Sequence, residues 1–182
     1  SDMFVFFLFW ELELIPAYFL IGGKWREEEE EHFENAKKSA VKYVLFTFLG
    51  SMIMLLGILL LHYYNFISNG ILSANFGDIL DSTIPDYIQN LIAICILIGF
   101  GVKLPIVPLH TWLPDAHTNA PTPVSMILAG ILLKTGAYGI YRFNYETLPT
   151  SFHWMAPTLA VFALINIIYT AFIAYAQTDI KR

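Results

Sequence analysis

The sequence predicts an all-α membrane protein of about five transmembrane helices, one of them broken. Three observations carry that reading. Of the 182 residues, 57% are hydrophobic and only 14% charged, against about 45–50% and about 25% in an ordinary soluble domain. A chain of this size cannot hide so much apolar surface in one core and still show water a polar face. Charge-poor stretches of about 20 residues, enough to cross a bilayer, recur at 3–22, 40–64, 88–107, 122–141 and 154–176. Runs such as Met52-Ile53-Met54-Leu55-Leu56 do not alternate in polarity, as barrel strands do, so the spans must close their backbone hydrogen bonds as helices.

This composition argues against a soluble enzyme and excludes a disordered chain. The net charge of −5 offers no basic footprint for nucleic acid. A single cysteine, Cys95, leaves no internal disulfide or cysteine cluster and reads as a small apolar filler.

The first span lacks the basic start and small-residue cleavage site of a signal peptide and is too long for one. Gly22-Gly23, Ser73-Ala74-Asn75, Pro85-Asp86 and Pro149-Thr150 mark loop ends. In the third span, Pro105 and Pro108 each remove an amide donor, which predicts a broken helix beside Lys103. Trp25, Trp112 and Trp154 fall near span ends, as expected of an interfacial belt, whereas Trp10 does not. The chain enters a span almost at once and stops just past another, so it reads as a piece of a longer protein.

Orientation follows from Lys and Arg. Lys24, Arg26, Lys37, Lys38, Lys181 and Arg182 fall on one side and Arg142 on the other. The expectation is an N-terminus outside and a C-terminus in the cytoplasm. The glutamates at 27–31, with Glu34, read as a solvated extension beyond the membrane.

Four ionisable residues lie well inside the spans: Glu11, Glu13, Lys103 and Lys134. Each costs about 2.5–3.5 kcal/mol near the bilayer centre, and such residues mark functional sites. Lys42 and His62 lie near predicted span ends, within snorkelling reach of the headgroups. Lys134 sits midway along its span and needs a partner or a water-filled cavity. Glu11 and Glu13 stand about 200° apart around a helix, so one is expected to face inward and the other a neighbouring helix or subunit. A broken helix at membrane depth frees carbonyls that can hold water or ions. His110 suits a proton relay, and His117 does so less well. Their spacing across Pro114 fits no usual zinc pattern. Asp115 with Thr118 reads as a structural cap or loop staple. No dinucleotide, haem or iron–sulfur pattern is present in the sequence, so no redox cofactor is expected on this chain.

Several stretches resemble one family. They are Phe9-Trp10-Glu11-Leu12-Glu13-Leu14-Ile15-Pro16, the run from Val102-Lys103-Leu104-Pro105 through Trp112-Leu113-Pro114-Asp115-Ala116-His117, Leu128-Ala129-Gly130-Ile131-Leu132-Leu133-Lys134-Thr135-Gly136-Ala137-Tyr138-Gly139, and the closing Ala176-Gln177-Thr178-Asp179-Ile180-Lys181-Arg182. Together they are similar to the antiporter-like M subunits of respiratory complex I, whose counterpart in photosynthetic complexes is called chain 4. The resemblance implies the fifth to ninth of about fourteen helices, the first repeat of an antiporter-like fold. It implies proton transfer by Glu11, Lys103 and Lys134, with Lys103 paired to Glu11, Lys134 passing protons onward and His110 as a candidate relay. It leaves Glu13 where many relatives are uncharged and makes the stretch 27–34 look like an insertion. The second repeat is expected soon after Arg182, and without it this chain alone is not expected to pump.

NADH, FMN, iron–sulfur clusters and quinone or plastoquinone would belong to the parent complex, and neighbouring antiporter-like subunits and the bilayer would be the partners. The membrane would be a bacterial plasma membrane or a thylakoid. Two alternatives share the fold, a subunit of a multisubunit cation/proton antiporter and one of a proton-pumping membrane hydrogenase. A non-transporting scaffold is the rival from another class, for which leucine at 103 and 134 would be harmless.

Overall fold

The computed structural model describes residues 2–23, 30–70, 77 and 84–178, without the side chains of Glu30 and Glu31. Lys24, Trp25, Arg26, the glutamates at 27–29, Ser73-Ala74-Asn75 and residues 179–182 lie outside the described residues.

Among the described residues, five helices are long and apolar enough to cross a membrane: Met3–Gly22, His32–Asn69, Asp86–Lys103, Thr122–Tyr145 and Pro149–Ala176. The first is built from α1 (Met3–Leu12) and α2 (Leu14–Gly22). The Asp2 side chain caps α1 by accepting from the amides of Phe4 and Val5. The two segments meet at Glu13, which keeps helical torsions. Pro16 lacks the amide that would bond to the Leu12 carbonyl, so the ladder is interrupted there. Buried Met3, Phe7, Trp10, Leu14, Ala17 and Ile21 form one stripe at spacings of four and three.

Helix α3 (Glu30–Asn69) is longer at both ends than the predicted span. Its first turns carry Glu34, Lys37 and Lys38, polar residues that a helix can extend beyond the bilayer. It packs most extensively on α4 (Asp86–Lys103), across a seam of small residues. A Cβ at Gly99 would stand 2.5 Å from that of Met54, and one at Gly57 would stand 3.0 Å from the Cβ of Cys95. His62, expected near a span end, is instead buried inside α3, its Nδ1 2.7 Å from the Ile58 carbonyl oxygen and its ring against Phe4.

Helix α4 stops at Lys103, four residues before the predicted end of the span, and residues 104–112 are irregular. Pro105 cannot donate to Gly101, so that carbonyl accepts from Ile106 instead, at 2.9 Å. This slip strands the Val102 carbonyl and the Val107 amide, which a continuous helix would satisfy. Trp112 donates its Nε1 to Val102 at 2.9 Å, and Asn166 accepts from the Val107 amide at 2.8 Å. Trp112 is therefore a fully buried brace of the break, not the interfacial anchor its position suggested. Trp154 is exposed, as a belt residue should be.

The chain resumes in α5 (Leu113–Asn119). Asp115, in its first turn, pairs with Lys42 of α3 at 2.6 Å, and Thr118 Oγ1 donates to the Pro114 carbonyl. The fourth span runs through α6 (Thr122–Ile127), a π-helical segment Leu128–Leu132, α7 (Leu133–Gly139) and a second π segment Ile140–Tyr145. Helix α8 (Pro149–Ala176) starts at a proline, which suits the first turn of a helix. No strand occurs among the described residues.

Two apolar clusters hold the bundle. One gathers Met3, Phe7, Trp10, Ile58, Ile96, Phe100 and Phe143. The other gathers Leu14, Ile21, Tyr43, Trp112, Ala116 and Leu128. The chain passes from the first to the second between Trp10 and Leu14, where the two glutamates lie.

Two stability predictions follow from these contacts. A Cβ at Gly136 would stand 3.0 Å from both the Phe100 carbonyl oxygen and the Leu104 amide nitrogen, backbone atoms that cannot swing aside. Gly136→Val should therefore lower the melting temperature of the detergent-purified full-length subunit, at a cost of about 1–3 kcal/mol from overpacking. Trp112→Phe, which keeps an aromatic ring but deletes the donor to Val102, should cost about 1–3 kcal/mol for the unsatisfied carbonyl in the same assay.

Candidate functional site

The site is built where α4 ends. Lys103 is 1% exposed, so its ammonium has little access to solvent and must be satisfied by protein. It makes an ion pair with Glu13 and donates to the Tyr43 hydroxyl at 3.0 Å. Two aromatic faces complete the seat: Nζ lies 5.2 Å from the Trp10 ring centroid and 5.3 Å from that of Tyr43. Both distances suit a cation over a π face. The Tyr43 ring in turn packs on Trp112, 5.1 Å between centroids, so the side chain that braces the break also backs the lysine seat.

The stripe on α1 and α2 explains how two glutamates serve one lysine. With Trp10 and Leu14 on the buried seam, Glu11 follows Trp10 by one residue and Glu13 precedes Leu14 by one. In a heptad these are the two positions that flank the seam on opposite sides. The expectation that only one could face inward is thus too strict, because both border the stripe over which Lys103 sits. The pairing also differs from the Glu11–Lys103 couple that the resemblance implies, since Glu13 makes the direct contact.

Glu11 lies within Coulombic reach of Lys103 and of Glu13 and faces Ser51 on α3. One of its carboxyl oxygens, Oε1, is buried with no hydrogen-bond partner. The Ser51 hydroxyl donates to the Phe48 carbonyl at 2.9 Å. Its lone pairs remain available to a neighbouring acid.

Lys134 is not part of this cluster. It is the second residue of α7, which follows the π-helical segment Leu128–Leu132, and is exposed. Gly136, two residues on, packs against α4, so Lys134 points about 200° away from that contact. Among the described residues it makes no ion pair. His110 lies in the irregular segment, its ring edge-on to Tyr169 of α8 at 5.5 Å and its Nδ1 buried without a partner. His117 takes no part in the Lys103 seat; its backbone carbonyl accepts from Ser125. Among the described residues, no three His, Cys, Asp or Glu side chains converge as a metal site would require.

The sequence reading missed Tyr43, one of ten tyrosines, because nothing in its local pattern sets it apart. It also missed Asn166, whose role depends on a bond across 59 positions. Trp10 did carry a signal, being the tryptophan away from the span ends.

The arrangement can hold a proton on a lysine paired to one carboxylate, with a second within Coulombic reach. Comparison with known proteins agrees in fold and sequence. The chain is 40% identical to NADH-quinone oxidoreductase subunit M of Pseudomonas aeruginosa, covering all of this chain and 35% of that protein. It is 45% identical to NAD(P)H-quinone oxidoreductase chain 4 1 of Picosynechococcus, again over the whole chain and 32% of the relative. A structure of respiratory complex I from Thermus thermophilus with bound NADH matches with a TM-score of 0.83 at 29% identity, over 99% of this chain and 36% of the matched one. A membrane-bound sulfane sulfur reductase, an archaeal respiratory complex, shares the fold at 0.83 and 23% identity, over 100% of this chain and 35% of that one. The model of the family described as NADH:quinone oxidoreductase/Mrp antiporter, TM, matches residues 1–182. The chain belongs to that membrane family and spans 32–35% of the length of these two relatives.

Proposed function

We propose that this chain is the first repeat of an antiporter-like subunit that moves protons across the membrane arm of a NADH- or NAD(P)H-quinone oxidoreductase. The observation that carries the reading is the Lys103 ammonium, buried at the end of a broken membrane helix and paired to the Glu13 carboxylate. A leucine would fill that place at lower cost, so the charge is there for its proton. The names of the relatives supply the reaction class.

In this reading Glu11, Lys103 and Lys134 exchange protons, and His110 serves the relay near the broken segment. Lys134 supports the onward step by its position, since an ammonium on an apolar outer face at mid-span needs water or a partner to receive it. The remainder of the subunit and the neighbouring antiporter-like subunits are that partner. NADH, FMN, iron–sulfur clusters and quinone act elsewhere in the complex, and this chain's part is to hold and release protons. The charge asymmetry supports an N-terminus outside and a C-terminus in the cytoplasm of a bacterium, or the equivalent sides of a thylakoid.

The test uses the full-length subunit in the assembled complex, reconstituted in vesicles. Lys134→Ala and Glu11→Ala should each lower coupled quinone reduction and proton pumping about tenfold or more, the effect of a lost proton-transfer group. A normal proton-to-electron ratio in both variants would overturn the proposal.

A further inference from the structure

We propose that Glu13 and Glu11 are two alternative seats for the Lys103 ammonium, and that Glu13 loads Lys103 with the proton that Glu11 then accepts. This inference rests on the proton-transfer reading of Lys103 and extends it to a residue which that reading leaves unassigned.

Four observations carry it. Glu13 makes the direct ion pair, with its side chain 23% exposed against 1% for Lys103. Glu13 is therefore the less enclosed member of the pair. Glu11 stands on the other flank of the seam, within Coulombic reach of the same ammonium, and its Oε1 is buried without a hydrogen-bond donor. An unsatisfied buried carboxyl oxygen within Coulombic reach of a lysine on a flexible four-carbon stem is an empty seat. Tyr43 binds the ammonium from a third side, on α3, where it can stay in contact as the lysine swings. Ser51, beside Glu11, offers an oxygen that accepts from a protonated carboxyl as its hydroxyl points to Phe48, and donates to a carboxylate when the hydroxyl rotates.

The steps balance in protons and charge. A proton from water joins the Glu13 carboxylate. The Glu13 acid passes it to the neutral Lys103 amine, giving an ammonium paired to a carboxylate, the arrangement in the structure. The ammonium swings to Glu11 and gives up its proton, leaving a neutral amine and a neutral acid facing Ser51. The net result is one proton carried from Glu13 to Glu11.

The groups that titrate around Lys103 are Glu13 and Glu11 on the first span and Tyr43 on α3. The test therefore reads a pH profile. Glu13→Gln, Glu13→Asp and Lys103→Ala are introduced into the full-length subunit of the assembled complex. Coupled quinone reduction and proton uptake are followed across pH, with subunit content checked in the purified complex. Glu13→Gln is expected to lose about 10²-fold or more in coupled turnover, from the low end of the about 10²–10⁴-fold range of a positioned acid–base group upward. Its pH profile should also change shape, and Glu13→Asp should restore most of the rate and the wild-type profile.

If Glu13→Gln pumps with wild-type rate and pH profile while Lys103→Ala does not, the two-seat inference falls and the proton-transfer reading stands. If Lys103→Ala also pumps normally, both fall. If Glu13→Gln and Glu13→Asp are slowed equally with an unchanged profile, Glu13 only props the helix and the inference falls.

Discussion

A lysine ammonium enclosed at membrane depth is the constraint around which this structure is arranged. Removing such a charge from water is expensive unless it is paired and hydrogen-bonded. The fold answers with a carboxylate from one helix, a hydroxyl from another and two aromatic faces. The seat lies where the two apolar clusters meet, so the charge is insulated above and below by packed side chains. Low polarity around the site strengthens each of these interactions.

The break in α4 follows from the same need. An unbroken helix would carry the chain past Lys103 along a straight axis. Pro105 and Pro108 stop it there, and the chain runs irregularly through residues 104–112 before α5 continues along α3, with Asp115 on Lys42 and Asn119 on Ser39. Trp112 and Asn166 then repair the backbone groups the prolines strand. Trp112 does two jobs, capping Val102 and backing the Tyr43 ring against the lysine. The contact of Gly136 with Phe100 and Leu104 anchors the fourth span to this corner and turns Lys134 outward. Local backbone chemistry thus sets both the seat of one lysine and the direction of the other.

Much of the fold was legible because lipid leaves few choices: apolar runs of the right length become helices, and prolines break them. Span ends were less legible. Helix α3 extends at both ends with polar residues that hydropathy trims off, and α8 begins at Pro149, five residues before the apolar run. The four intramembrane charges stood out by their cost, and three of them do gather at one site. Which glutamate touches Lys103 was not legible, because two residues on opposite flanks of a helix look equivalent until the buried stripe between them is known. Trp112 and His62 misled for a related reason. Their positions near span ends suggested the interface, but the irregular segment folds Trp112 inward, and α3 continues a further turn and more past His62.

The central claim is that the carboxylates beside Lys103 change protonation as the protein works. Infrared difference spectroscopy of the assembled complex during quinone reduction tests it most directly, with Glu11→Gln, Glu13→Gln and the double variant compared to the wild type. The expected result is a carboxyl band, sensitive to deuterium exchange, that appears in turnover and is lost when Glu11 is replaced. An identical carboxyl spectrum in the wild type and in the variant lacking both glutamates would contradict it.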